Sequence, residues 1–197
     1  MDKMELYHYH TLGNHDEVWE VGREIIVTPS FKSYMNERFE SFTTAINTGY
    51  SIENYHDFLN NVDINNLDKE AVIQLLAIAQ HVSYYGNMFK REAALENYRS
   101  KKCSNLPSRL HCMYLTDELG VNAWKEKFPT DKLVLYRLEV EGLIFKTSEQ
   151  FLPDEELSYL DAYNKSYDYW HPDFRRVRDD SNEYLVQGKV KILERIK

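Results

Sequence analysis

Residues 184–192, Tyr-Leu-Val-Gln-Gly-Lys-Val-Lys-Ile, set Tyr184, Val186, Gly188, Val190 and Ile192 on one side, the period of two expected of a strand with one face on a core. A strand near the C-terminus must find its partners earlier in the chain. Leu133 to Val140 reads as a second strong strand, with Gly142 as a turn and Leu143-Ile144-Phe145 as its return. Residues 4–11 alternate Met4, Leu6, His8 and His10 against Glu5, Tyr7, Tyr9 and Thr11, so His8 shares a face with Leu6. Ile25 to Val27, stopped by Thr28-Pro29, and Leu110 to Thr116, stopped by Asp117-Glu118, are shorter strands.

Between the strands the period changes. Asp68 to Val82 carries Val72, Leu75, Leu76, Ile78, Ala79 and Val82 at helical spacing, with Asp68 as cap. A second helix over roughly Asn87 to Ser100 bears Met88, Glu92, Leu95 and Tyr98, and runs out in the polar stretch 100–105 before Pro107. Asp117 to Phe128 is expected to be helical, with Leu119, Ala123, Trp124 and Phe128 inward, until Pro129 and Asp131 break it. Asn14 is placed to cap a short helix through Val18, Trp19 and Val21, which Gly22 ends in a left-handed conformation. Asp154 to Asp168 favours helix, ended by Tyr169-Trp170-His171-Pro172, and residues 31–62 read as helical turns with loops. Strands at both ends and helices between give an α+β class, and the absence of a long linker or repeat gives one domain over 1–197.

The chain has 197 residues, 24 Lys and Arg against 32 Asp and Glu, and a net charge of −8, which argues against broad electrostatic binding to nucleic acid or anionic lipid. No apolar run approaches the roughly 18 residues of a membrane span, and the first residues lack the basic and apolar regions of an export signal. Only Cys103 and Cys112 are present, too few for a disulfide framework, so a reducing, cytoplasmic setting without a membrane is expected. The unusual count is 15 Tyr, which implies a thick aromatic core or a site that stacks planar rings.

Gly-rich phosphate loops, nucleophile elbows and His-Glu-x-x-His helices are missing. His8 and His10 supply two ligands from one strand face, which leaves a metal site incomplete, so no metal is expected. Arg109 and Glu183, at strand boundaries, read alone as solvated rims.

Taken together, three segments are more informative. Leu6-Tyr7-His8-Tyr9-His10-Thr11-Leu12-Gly13-Asn14, followed by Val18-Trp19 and Gly22, resembles the opening of the catalytic domain of poly(ADP-ribose) polymerases, where a Leu-Trp-His-Gly-Ser strand precedes Asn, two apolar residues and Gly. Cys112-Met113-Tyr114-Leu115-Thr116-Asp117 resembles that family's Gly-Ile-Tyr-Phe-Ala-Asp strand, and Ser181-Asn182-Glu183-Tyr184-Leu185-Val186 its Asn-Glu-Tyr-Ile-Val strand. The order is that of the His-Tyr-Glu type of the ADP-ribosyltransferase superfamily, with the overall look of its small bacterial members.

The resemblance implies a split β-sandwich with flanking helices, NAD as substrate, and mono-transfer of ADP-ribose to a macromolecular acceptor, protein or nucleic acid, with release of nicotinamide. It also implies a toxin of a toxin–antitoxin or antiphage system, and hence a neutralising antitoxin protein. Cleavage of the nicotinamide–ribose bond passes through an oxocarbenium-like centre that a nearby carboxylate stabilises, the role that falls to Glu183. Tyr114 would stack nicotinamide, His8 would bond a ribose hydroxyl of the adenosine half, and Tyr9, Thr116 and Trp124 would line the NAD site. Arg109 is a candidate for the pyrophosphate because its fork matches phosphate oxygens. NAD hydrolysis, with water as acceptor, is a second enzyme reading. Tyr9 stands where the family carries Gly, and this keeps a non-catalytic binding module of the same fold as a third.

Overall fold

A computed structural model describes residues 3–13, 18–33, 36, 37, 40, 45–47, 52–54, 57, 60, 61, 63, 69–128 and 132–196. The expected caps Asn14 and Asp68, the breakers Pro129 and Asp131, and much of 31–62 lie outside the described residues. The elements are β1 (Met4–Thr11), β2 (Glu24–Val27), β3 (Ala45–Asn47), β4 (Ile52–Asn54), α1 (Lys69–Lys102), β5 (Met113–Leu115), α2 (Val121–Glu126), β6 (Leu133–Ser148), α3 (Tyr159–Trp170) and β7 (Asn182–Ile196). This is an α+β protein. β3 and β4 form a small hairpin, and the other five strands form one antiparallel sheet.

The sheet runs β1-β6-β7-β2, and β5 lies on β7 beside β2. One edge of β7 is therefore shared, first by β5 through Tyr114↔Leu185 and then by β2 through Val27↔Gly188. At its far end β5 returns to β1, where Tyr7 and Thr116 exchange two backbone hydrogen bonds of 2.8 and 2.9 Å. β1, β6, β7 and β5 thus curl around one core of Leu6, Leu115, Tyr136, Leu138, Val186 and Ile192. On the opposite face, Leu185 joins Leu95, Tyr169 and Trp170 beneath α1 and α3.

Several expected boundaries move, each for a local reason. β6 does not turn at Gly142. Gly142 and Gly188 face each other in register at φ 145° and 142°, a backbone region that favours glycine, and both strands run through the pair as a 16-residue and a 15-residue strand. A Cβ at Gly188 would stand 2.3 Å from the Glu141 carbonyl oxygen. The two expected central helices are one 34-residue helix, since Gly86 only weakens a helix by about 1 kcal/mol and does not break it. Its first part leaves Ile73 and Leu76 exposed, while Met88, Glu92 and Leu95 are buried.

The strand expected from Leu110 begins only at Met113, because the Ser108 hydroxyl accepts from the Leu110 N–H and winds Arg109–His111 into a 3-10 turn. Leu119 is 62% exposed and Phe128 38% exposed instead of facing inward: Asp117 caps a separate 3-10 turn over Glu118–Gly120, and α2 is only six residues long, so no single helical face joins them. α3 starts late, at Tyr159, where the Ser158 hydroxyl caps it. Gly22 has the expected positive φ, 90°, while among the described residues 18–21 there is no α-helix; the first part of the expected helix, residues 14–17, lies outside them.

Gly188→Ala is expected to destabilise the protein by about 1–3 kcal/mol, the range for a side chain forced into a sparsely populated backbone region. A lowered urea midpoint at constant m-value would register it; an unchanged midpoint would contradict the close approach of the two facing glycines.

Candidate functional site

Where α1 passes behind the sheet, charged groups are taken out of water. Arg109 is 4% exposed, Glu92 of α1 1% and Glu183 of β7 3%. Arg109 Nε donates to Glu92 Oε2 at 2.7 Å and Nη2 to Glu92 Oε1 at 3.2 Å, a two-point grip on one edge of the guanidinium. Nη1 donates to Glu183 Oε2 at 2.8 Å and also meets the Tyr169 hydroxyl, which itself donates to Glu183 Oε2. The chain of charges continues outward, with Arg91 bridging Glu92 at 3.3 Å and Glu155 at 2.8 Å.

Electrostatics follow from this packing. Burial would lower the Arg109 pKa, but Glu92, the neighbouring phenols and Glu183 outweigh it, so the guanidinium stays charged. Tyr169 and Tyr114 are pushed well above the ordinary phenol range, chiefly by burial, and remain neutral hydrogen-bond donors. Tyr114 donates its hydroxyl to the Arg109 carbonyl at 2.6 Å and sets its ring 5.1 Å from the guanidinium. The Cys112 thiol is buried beside them and is also raised by that burial.

His8 and His10 lie on the other core. Both rings stack on Trp19, with centroids at 4.7 and 4.8 Å, and His8 Nδ1 lies 3.0 Å from the Tyr114 carbonyl oxygen. That contact fixes the proton on Nδ1 of a neutral ring. Burial lowers the His8 pKa to about 4, against a smaller raising effect of the Tyr114 carbonyl. Among the described residues no group of three or more His, Cys, Asp and Glu is placed to hold a metal ion.

The remaining sequence candidates surround the same strands. Thr116 is fully buried and donates its hydroxyl to the Asn182 carbonyl at 3.0 Å. Gly120 packs directly on it; a Cβ there would stand 2.0 Å from Thr116 Oγ1. Trp124 is buried on α2, and its indole N–H has no hydrogen-bond partner among the described residues. Tyr9 is half-buried against Phe128, with ring centroids 6.3 Å apart. Beside α2 lies a groove of about 350 Å³ lined by Lys127, Glu149, Gln150, Arg178, Asp180 and Ser181 among others. Burial lowers the Lys127 pKa, with Glu183 and Asp180 pulling it back up.

The structure brings Tyr114, Glu183 and Arg109 together directly, and His8 to them through the Tyr114 backbone. Arg109 does not face solvent: all three guanidinium nitrogens are engaged by Glu92, Tyr169 and Glu183, so a pyrophosphate could be held there only by exchanging those partners. Sequence reasoning missed Glu92 and Tyr169 as members of the cluster. The available signal for Glu92 was its position between Met88 and Leu95, a carboxylate on the inward stripe of a helix.

A charged cluster thus lies buried between the antiparallel sheet and the helices of an α+β fold. The chain belongs to DUF2441, a family of proteins of unknown function, whose model matches residues 6–197. No curated protein matches it. No helix among the described residues is long and apolar enough to cross a membrane.

Arg109→Met leaves two carboxylates buried without their shared cation, and a loss of about 3–5 kcal/mol in unfolding free energy is expected. A loss under about 1 kcal/mol would mean that the cluster is solvated in solution. His8 adds a pH dependence. Its pKa is 6.5 unfolded and about 4 folded, so its contribution to stability is complete above pH 6.5 and is lost as pH falls through 4. Unfolding titrations of wild type and His8→Phe across that window should show a steeper acid loss for wild type; parallel curves would contradict a buried neutral imidazole.

Proposed function

We propose that this protein is an NAD-dependent mono-ADP-ribosyltransferase. The observation that carries the reading is adjacency: residues 8, 114 and 183, far apart in sequence, fall on β1, β5 and β7, which are neighbours through the Tyr7–Thr116 bridge and the Tyr114↔Leu185 register. The split β-sandwich belongs to the same proposal, and its support is the way β1 closes back onto β5. The Trp124 indole N–H, without a partner among the described residues, also supports it, as a donor for an acceptor on a ligand in a place where the resemblance expects NAD.

In this reading NAD enters beside α2, with Trp124 and Tyr114 offering aromatic faces to its rings. The bond between the ribose C1′ and the nicotinamide nitrogen breaks, its electron pair leaves with nicotinamide, and positive charge spreads over C1′ and the ring oxygen. Glu183 accepts a hydrogen bond from the ribose 2′-OH and stabilises that charge. A nucleophilic atom of the acceptor then attacks C1′ and loses its proton to solvent. His8, neutral and clamped on Trp19, holds the β1 backbone beside the site. The acceptor, protein or nucleic acid, and an antitoxin partner are part of the proposal through the resemblance alone.

A non-catalytic NAD-binding module is the second reading, favoured by the burial of the Glu183 carboxylate against Arg109 and Tyr169 and by the bulk of Tyr9. Incubation with labelled NAD and cell extract, followed by protease or nuclease, separates the two. The transferase predicts transferred label with nicotinamide release, falling by about 10²–10³-fold in Glu183→Gln, the scale of losing one preorganised transition-state contact. Nicotinamide release that does not need extract points to hydrolysis; NAD binding without turnover leaves the binding module; neither binding nor turnover ends the proposal.

A further inference from the structure

Glu92 carries no role in the motif resemblance, yet it is the most deeply buried charge in the cluster and has one edge of Arg109 to itself. Two observations bear on what it does. First, Arg109 and Tyr169 both bind Glu183 through Oε2. Both donors thus reach the same carboxylate oxygen, and in the proposed reaction Oε1 would be the one to meet the ligand. Second, Glu155, Arg91, Glu92, Arg109 and Glu183 alternate in sign along a chain of contacts, so that within this chain three carboxylates against two guanidiniums leave one negative charge, with Lys127 acting on Glu183 from outside it.

That surplus has a chemical consequence. A cation bound to Glu183 alone would fix the carboxylate but cancel its field, and a cancelled carboxylate gives little help to a cationic transition state. With Glu92 on the opposite edge, Arg109 keeps its grip on Glu183 while its charge is already balanced. The geometric and electrostatic demands on Glu183 are then met by different residues.

We infer that Glu92 is a positioning residue for the reaction: by gripping and neutralising Arg109 from α1, it holds Glu183 in place while leaving the Glu183 negative charge unspent. This rests on the transferase reading, because it assigns Glu92 a task only if Glu183 faces a developing cation. Arg109 is accordingly part of the support for Glu183 and not a ligand for pyrophosphate.

The test is a kinetic cycle on the full-length protein, following nicotinamide release from NAD in the presence of cell extract, with unfolding midpoints measured in parallel. Glu92→Gln should lower kcat about tenfold while KM for NAD changes less than about twofold, the pattern of an interaction felt in the transition state. Glu92→Asp, which keeps the charge, should retain more kcat than Glu92→Gln. In a Glu183→Gln background, Glu92→Gln should change kcat no further, since its effect passes through Glu183. An undiminished effect in that background, equal effects of Gln and Asp, or a lowered midpoint with unchanged kcat overturns the inference and leaves the transferase standing. A wild type that releases no nicotinamide removes both.

Discussion

A guanidinium held out of water between two carboxylates is the interaction on which the arrangement depends. Arg109 sits in the turn before β5, and its partners come from the middle of α1, the end of α3 and the first residues of β7. Four elements distant in sequence are tied at one point. Each ion is costly to bury, and the cost is offset only because every guanidinium nitrogen is engaged and Tyr169 adds a neutral donor. An apolar cluster could have joined the same elements at less risk to stability, so the charged one has to be explained by more than adhesion. Its placement one strand from Tyr114 supplies the reason on the reading proposed above.

The sheet gives that cluster its surroundings. β7 is paired along one edge by β5 and then by β2, and Gly188, opposite Gly142, stands where the β5 pairing gives way to that of β2. β5 reaches back to β1, and the Tyr114 carbonyl comes within reach of the His8 ring. Trp19 stacks on both histidines and packs on Tyr136 of β6, while β1 is joined to β5 by the His8 hydrogen bond to the Tyr114 carbonyl and by the Tyr7–Thr116 hydrogen bonds.

Much of this fold was legible in the sequence because amphipathic periodicity reports burial directly. β1 and β7 were read from alternation, and the buried half of α1 from the spacing of Met88, Glu92 and Leu95. What escaped was pairwise. Gly142 looks like a turn until Gly188 is known to face it. Leu119 and Phe128 look inward on one long helix, but the Asp117 cap and a six-residue α2 break their common face. Within the site, Tyr114, Glu183 and Arg109 were singled out and do converge. A sequence displays the charge of Arg109 without its partners, and an inward carboxylate such as Glu92 or a helix-ending tyrosine such as Tyr169 acquires meaning only around that guanidinium.

The central claim is that the strands bearing His8, Tyr114 and Glu183 form one NAD site. The most direct measurement is a titration of the isotope-labelled protein with NAD, followed through backbone and indole N–H resonances. Binding at that site is expected to give saturable shifts concentrated at residues 7–10, 113–116, 182–185 and the Trp124 indole N–H. Shifts that stay absent at millimolar NAD, or that gather on a surface away from β1, β5 and β7, would contradict it.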